Sequence, residues 1–180
     1  MTAFLRIAAL VMLLPALAGM APAQDAEPSG TRVDLEMEEH DSSQPLEITS
    51  DDLKLDRGSN TATFTGDVVA IQGNLTLTGD RMVVEYARSA ETGANEVVRV
   101  TVTGNVVMVQ EKEDPEAEAD VAESQRAVYT VETELLVMTV DVLVVQDGTV
   151  LTSDKLTYDL ATGRGVMEGR VTTLMMPEGE

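Results

Sequence analysis

The chain contains no cysteine and no tryptophan, and it has a single histidine, His40. Without cysteine, disulfide bonds and thiol chemistry are excluded, so packing and backbone hydrogen bonds must stabilise the fold. One histidine, in a segment that we expect to be flexible, offers little for acid–base catalysis at neutral pH. The sequence also lacks a nucleophile elbow, a phosphate-binding glycine loop with a lysine, and a histidine–cysteine cluster. We therefore expect that the protein is not an enzyme and that it binds neither a cofactor nor a metal ion.

Basic residues are scarce. The chain has 12 lysines and arginines against 32 aspartates and glutamates, which gives a formal net charge of −20. Such a charge repels nucleic acid and anionic membrane surfaces, although it is equally consistent with a solubility device or an adaptation to salt. An anionic lipid would therefore have to be held mainly by its hydrocarbon tails.

Only one apolar run is long, residues 7–18, and it is shorter than the roughly 20 residues that a membrane-spanning helix needs. It follows the basic residue Arg6 and precedes the small residues 21–23 (Ala-Pro-Ala), which is the layout of a signal peptide. We predict that residues 1–23 form a signal peptide that is cleaved after Ala23. An uncleaved membrane anchor is the alternative.

Composition divides the remaining chain into a leader and one domain. Residues 24–44 are rich in Asp, Glu, Ser, Gly and Pro, and we predict a flexible leader because they bury too little surface to offset the entropy of ordering. Residues 45–175 change to short Val, Leu, Ile and Thr runs broken at Gly, Asn and Asp, which predicts a single β domain. Within it, the acidic residues and alanines of 111–124 predict a mobile loop rather than a short exposed helix.

The β prediction depends on period-two alternation. In residues 98–103 (VRVTVT) apolar and polar side chains alternate, so we expect Val98, Val100 and Val102 to share a buried face. Turn residues recur at short intervals, which indicates a sandwich, roll or barrel. These turn signals stand at residues 57–60, 72–74, 91–95, 147–148 and 162–163.

An internal repeat narrows the architecture. Residues 65–68 (TGDV) recur 74 positions later as residues 139–142 (TVDV), and a third copy stands at residues 103–106 (TGNV). Stacked strand pairs of this kind bury a continuous interior, which predicts a roll or solenoid with exposed strand edges. We hypothesise that these edges allow one copy to extend the sheet of the next.

Aspartates recur with the same repeat and raise the question of a carboxylate site. Paired carboxylates or a calcium ladder are conceivable, but the spacing of 13 within each pair follows the strand repeat, so turn capping and solvation of the sheet edge are the favoured roles. The residues are Asp67, Asp80, Asp141 and Asp154.

Several segments together resemble the OstA-like family of periplasmic lipopolysaccharide transport proteins. The segments, in their order and spacing, are residues 46–51 (LEITSD), 53–56 (LKLD), 62–68 (ATFTGDV), 72–73 (QG) and 158–165 (YDLATGRG). The chain departs from the family pattern at Val140, which replaces an expected glycine, and in the length of the acidic segment 111–124.

The resemblance implies an all-β, open β-jellyroll of repeated antiparallel strand pairs with a hydrophobic interior. It further implies a periplasmic protein that binds the lipid A acyl chains of lipopolysaccharide and stacks head to tail as a bridge. The partners so implied are an LptC-like inner-membrane protein and an LptD-like outer-membrane translocon. By strand parity, the candidate lipid-contacting residues are the inward apolar positions Ile48, Leu55, Phe64, Val102, Met138 and Leu156.

Two alternatives stay open on the sequence. The chain could be the LptC-like anchored partner itself, with its signal uncut. It could also be a structural β-solenoid without a ligand, which predicts a filled core and no bound lipid.

Overall fold

A computed structural model describes residues 35–37, 44–90 and 92–175, in which regular structure is β apart from one 3-10 turn at Val131–Thr133. Within these ranges no helix is long and apolar enough to cross a membrane. The predicted signal peptide, its cleavage site after Ala23 and His40 lie outside the described residues. The strands are β1 (Leu35–Glu36), β2 (Glu47–Thr49), β3 (Asp52–Asp56), β4 (Thr61–Gln72), β5 (Leu75–Arg88), β6 (Asn95–Gln110), β7 (Asp120–Thr130), β8 (Leu135–Gln146), β9 (Thr149–Asp159), β10 (Arg164–Glu168) and β11 (Thr172–Met175).

All eleven strands belong to one antiparallel sheet. Its order is β1-β10-β9-β8-β7-β6-β5-β4-β2, while β3 pairs with the other part of β4 and β11 with the other part of β9. Strands that are consecutive from β4 to β10 are neighbours in the sheet, and short turns join most of them, including those predicted at residues 72–74 and 147–148. The all-β architecture expected from the alternation and the repeat, and the open roll implied by the family resemblance, are confirmed.

The sheet bends along one line that crosses its long strands. In three strands one extra residue shifts the pairing register with the neighbouring strand, and the three shifts line up across the sheet. They lie within residues 65–68, 103–106 and 139–142. Each of these bulges has two consecutive residues in the left-handed conformation. In β6 this position requires glycine, because a Cβ at Gly104 would collide with the carboxylate of Asp80. The sequence repeat is therefore the recurrence of this bend, which turns two halves of the sheet towards each other.

Val140 occupies the position in the third bulge at which the first two have glycine. Its φ is 68°, so the bend is kept and the valine adopts the left-handed conformation. For a β-branched residue this conformation costs about 1–2 kcal/mol. The side chain is 53% exposed, so packing recovers little of that cost.

The core lies between the two halves, on the inner face of the sheet. On the half bordered by β3 and β10, one transverse row of paired residues runs Phe64, Met82, Val102, Ala127, Met138, Leu156 and Met167. On the half bordered by β2 and β11, the matching row runs Ala70, Leu77, Met108, Ala122, Val144 and Leu151. Buried members of both rows form one hydrophobic cluster, which gives the open roll a single core.

Three local expectations are corrected. The leader predicted over residues 24–44 contains a strand, because β1 pairs with β10 and buries Leu35 beside it. The loop predicted over residues 111–124 ends earlier: β7 begins at Asp120, since small inward residues allow this segment to continue the ladder of β6. Val98 is exposed rather than buried, because the ladder between β5 and β6 slips there and turns its side chain outward.

Candidate ligand-binding cavity

An apolar cavity of about 430 Å³ lies between the two halves of the sheet. Ala70 and Leu77 wall it on the half bordered by β2 and β11, and Val100 and Leu136 wall it on the opposite half. Sites for small apolar ligands have volumes of about 300–1,000 Å³, so this space is within their range. The other lining side chains are Leu46, Gln72, Leu75, Met82, Glu96, Val97, Met108, Tyr129, Val131 and Leu160.

Two methionines, Met82 and Met108, contribute to the lining from opposite halves, and both are fully buried. Methionine is unbranched and polarizable, so it adapts its shape to irregular apolar ligands. Two strand-end residues of the lining are polar, and both already have hydrogen-bond partners. Gln72 Nε2 donates to the carbonyl oxygen of Gln44 at 2.9 Å, and Glu96 Oε1 accepts from Thr92 Oγ1 at 3.1 Å. The cavity therefore suits a hydrocarbon ligand better than a polar one.

The interior near β9 and β10 is filled rather than open. Leu156, Tyr158 and Met167 are fully buried there. The Tyr158 hydroxyl hydrogen-bonds to Gln110 Oε1 at 3.3 Å and so joins the two halves across the interior. Burial raises the pKa of Tyr158 to about 12, and burial also raises the pKa of Tyr129 in the cavity wall. Both phenols are neutral at physiological pH, so neither adds charge to the interior.

A polar network lies next to Gln110, at the start of β7. The Asp120 side chain is 2% exposed, and its Oδ1 is 3.3 Å from Lys112 Nζ. Lys112 Nζ is also 2.6 Å from Oδ1 of the exposed Asp147, and Gln146 Nε2 donates to Asp120 Oδ2 at 3.1 Å. Burial raises the pKa of Asp120 by more than Lys112 lowers it, whereas the pKa of Lys112 is raised mainly by its hydrogen bond to Asp147. The network fixes the start of the acidic loop against the turn between β8 and β9.

The six residues predicted to contact lipid all belong to inward rows of the sheet, but none of them lines the cavity. Val102, Met138 and Leu156 are fully buried, so they belong to the packed core. Ile48 and Phe64 are half-buried against the core. Leu55 is 69% exposed at the sheet edge, since in the described part of the chain β3 pairs with β4 alone. Strand parity identified the correct face of the sheet, but other residues on that face line the cavity. Lipid contact by these six residues stays a prediction.

Two of the four repeated aspartates, Asp80 and Asp154, make contacts at the bends. Asp80 accepts two hydrogen bonds from Asn105 Nδ2, each 3.1 Å long, and Asp154 accepts hydrogen bonds from the backbone and guanidinium of Arg170. The bond from the Arg170 backbone N–H to Asp154 is of the turn-capping kind favoured above, whereas Asp80 contacts the side chain of Asn105; turn capping by Asp67 and Asp141 stays a prediction. Among the described residues, no group of three or more histidines, cysteines, aspartates or glutamates is placed to hold a metal ion.

The two ends of the sheet expose backbone edges and apolar side chains together. At the N-terminal end, Leu53 and Leu55 of β3 are exposed. At the C-terminal end, Leu174 and Met175 of β11 are exposed. Exposed edge strands are templates for pairing with another chain. The exposed apolar side chains of β3 and β11 do not protect these edges against such pairing.

Comparison with known proteins is consistent with this architecture. Residues 47–164 match the family model described as LptA/(LptD N-terminal domain) LPS transport protein. The lipopolysaccharide export system protein LptH of Pseudomonas aeruginosa is 27% identical over 133 residues, which cover 73% of this chain and 72% of that protein. LptA of Haemophilus influenzae is 29% identical over 144 residues, which cover 76% of this chain and 80% of that protein.

A solved structure shows the same fold. The crystal structure of Pseudomonas aeruginosa LptH, described as the LptA homologous periplasmic component of the lipopolysaccharide transport device, superposes with a TM-score of 0.64. The superposition covers 75% of this chain and 97% of that chain at 22% sequence identity, so it is a likeness of fold.

Proposed function

Because the chain belongs to the family of LptA and LptD N-terminal-domain lipopolysaccharide transport proteins, we propose that it binds lipopolysaccharide inside its roll and carries it between the two membranes. The observation that carries the proposal is the 430 Å³ apolar cavity between the halves of the sheet. A ligand-free structural solenoid is the weaker interpretation, because it predicts a filled interior. The family role is transport, so we propose no enzymatic activity.

The cavity fits the acyl chains rather than the phosphates. Each methylene group that leaves water contributes about 0.8 kcal/mol, so a single acyl chain supplies several kcal/mol if the lining closes around it. The net charge of −20 repels the phosphates of lipid A, which favours a geometry with tails inside and headgroup outside. Binding should therefore strengthen as salt screens that repulsion.

Bridging requires contact with other proteins at the ends of the roll. We propose that the mature chain lies in the periplasm after cleavage behind Ala23, and that copies join head to tail, β2 and β3 of one to β10 and β11 of the next. The exposed leucines of β3 and β11 support this arrangement. The same edges would receive an LptC-like partner at the inner membrane and an LptD-like translocon at the outer membrane.

Native mass spectrometry of residues 24–180 with purified lipopolysaccharide tests the lipid part of the proposal. Leu77→Asp places a charge in the cavity wall, while the matched control Leu143→Asp places the same charge at a half-buried position on the outer face of the same half. We expect wild type and Leu143→Asp to bind lipid and Leu77→Asp to lose it while remaining folded. Equal binding by both variants, or no binding by wild type, would contradict the proposal.

A further inference from the structure

β1 covers part of the C-terminal edge of the sheet. It runs antiparallel to β10, with Leu35 opposite Gly165 and Glu36 opposite Arg164, and the backbone N–H of Met37 donates to the carbonyl oxygen of Gly163 at 3.1 Å. In the described part of the chain, β1 pairs with no other residue of β10. Over the described residues 35–37 this cap is short, and it is supplied by a segment that is remote from β10 in sequence.

The contact is shaped to receive one apolar strand. Leu35 and Met37 are buried. Gly165 makes room for Leu35, because a Cβ on it would come within 2.9 Å of Leu35 Cδ1. Gly163 has a φ of 67° and lies so close to the Met37 carbonyl that a side chain there would collide with it. Two glycines thus form a socket on the edge of the sheet.

The strand at the opposite end of the sheet has the same pattern as the cap. β3 contains Leu53-Lys54-Leu55, and the cap reads Leu35-Glu36-Met37, so both alternate apolar, charged, apolar. Leu55 pairs with Ala62 on the inner face and is 69% exposed, which leaves it without the neighbour that an added strand would provide. The inner rows of the sheet therefore end in the same kind of side chain at β3 and at β1.

The strand directions also agree. Six successive antiparallel pairings separate β4 from β10, so these two strands run in the same direction. β3 is antiparallel to β4. In a second copy with the same orientation, β3 would therefore add to β10 antiparallel, as β1 does within one chain.

We propose that β1 is an intramolecular cap that imitates β3 of a second copy and must leave β10 before two copies join. The inference rests on the head-to-tail association in the proposed function and adds a means by which the chain restrains it. Among the described residues β1 pairs two residues with β10, whereas β3 offers five, so the incoming strand replaces the described pairing with a longer ladder. Assembly then becomes a strand exchange rather than a simple addition.

A reversible lock tests this exchange. The chain has no cysteine, so Glu36→Cys with Arg164→Cys creates a single disulfide between paired residues and fixes the cap on β10. The matched control, Thr101→Cys with Val128→Cys, joins two strands that remain paired in every state. In sedimentation velocity over a concentration series, we expect the oxidised lock to stay monomeric, reductant to restore assembly, and the oxidised control to assemble as its reduced form does.

Release of the cap is the converse test. Leu35→Asp should lower the concentration at which copies associate, and adding Leu55→Asp to it should abolish association. Val98→Asp carries the same charge at an exposed position in the middle of the sheet and should behave as wild type. A locked chain that assembles, or a released chain that assembles no more readily than wild type, would overturn the inference.

Lipid binding separates this inference from the proposed function. The locked monomer keeps its cavity, so it should bind lipopolysaccharide in native mass spectrometry as wild type does. If the locked chain assembles, and the locked chain and wild type both bind lipid, only the role of β1 as a cap is refuted. If wild type binds no lipid, the transport proposal fails independently of the cap.

Discussion

Lys112→Met removes the only cation that contacts the buried carboxylate of Asp120 in the described structure while keeping most of the side-chain length. Asp120 Oδ1 then loses its 3.3 Å ion pair, although Oδ2 keeps the hydrogen bond from Gln146. A buried acceptor without its partner costs about 1–3 kcal/mol, so we expect a loss of about 2 kcal/mol in the free energy of unfolding near pH 7. For a domain of this size that corresponds to a fall in Tm of about 8 °C.

The effect should depend on pH in a defined direction. Burial already raises the pKa of Asp120, and removal of the cation raises it further. A carboxyl whose folded pKa lies above its unfolded value favours folding more strongly as the pH falls through that folded pKa. The difference in stability between wild type and Lys112→Met should therefore shrink between pH 7 and pH 4, as Asp120 becomes protonated in the variant.

Chemical denaturation at several pH values, followed by circular dichroism, measures both quantities. Asp147→Asn removes the exposed partner of the same lysine and should change stability by no more than about 0.5 kcal/mol. The double variant Lys112→Met/Asp120→Asn should recover most of the loss and its pH dependence. A Lys112→Met effect as small as that of Asp147→Asn, or a difference that grows in acid, would refute the reasoning.

Three further outcomes are expected. Gly104→Val should destabilise the protein by more than about 2 kcal/mol, because its Cβ would collide with Asp80. Val140→Gly should be neutral or stabilising by up to about 1 kcal/mol, because it relieves the left-handed valine. Thermal denaturation distinguishes the two variants, and a destabilised Val140→Gly would contradict backbone strain at Val140. Tyr158→Phe should lower the free energy of unfolding by about 1 kcal/mol, because it removes the hydrogen bond to Gln110. In an absorbance titration of wild type the Tyr158 phenol should ionise near pH 12, so the protein should lose stability as the pH rises from 10 to 12. Ionisation of Tyr158 near pH 10 would contradict its burial. Leu174→Asp should weaken self-association in sedimentation experiments without changing Tm, and unchanged association would exclude β11 from the contact.

Much of the fold could be predicted because β structure leaves a period-two pattern and this sheet repeats its bend. Residues 65–68, 103–106 and 139–142 mark the line of bulges directly in the sequence. The errors arose where a local irregularity overrode the pattern. Val98 is itself the extra residue of a bulge, so its side chain turns outward. The strand at Leu35 lies within an acidic segment, although the alternation of apolar and acidic residues around it was a usable signal.

The cavity could not be predicted from parity. Met138 and Leu77 both point inward, yet the first is packed in the core and the second walls an open space. The difference depends on how far apart the two halves of the sheet lie at each level, which is a property of the bend and of side chains on the opposite half. Sequence alternation within one strand carries no information about that distance.

The most direct test of lipid transport through the roll interior is site-specific photocrosslinking to lipopolysaccharide. A benzophenone side chain at Leu77 faces the cavity, and one at Leu143 faces outward from the same half of the sheet. We predict a lipid adduct at Leu77 and none at Leu143, with the Leu77 adduct suppressed by excess unlabelled lipopolysaccharide. Equal adducts at both positions, or adducts only at Leu143, would contradict the assignment of the interior as the lipid site.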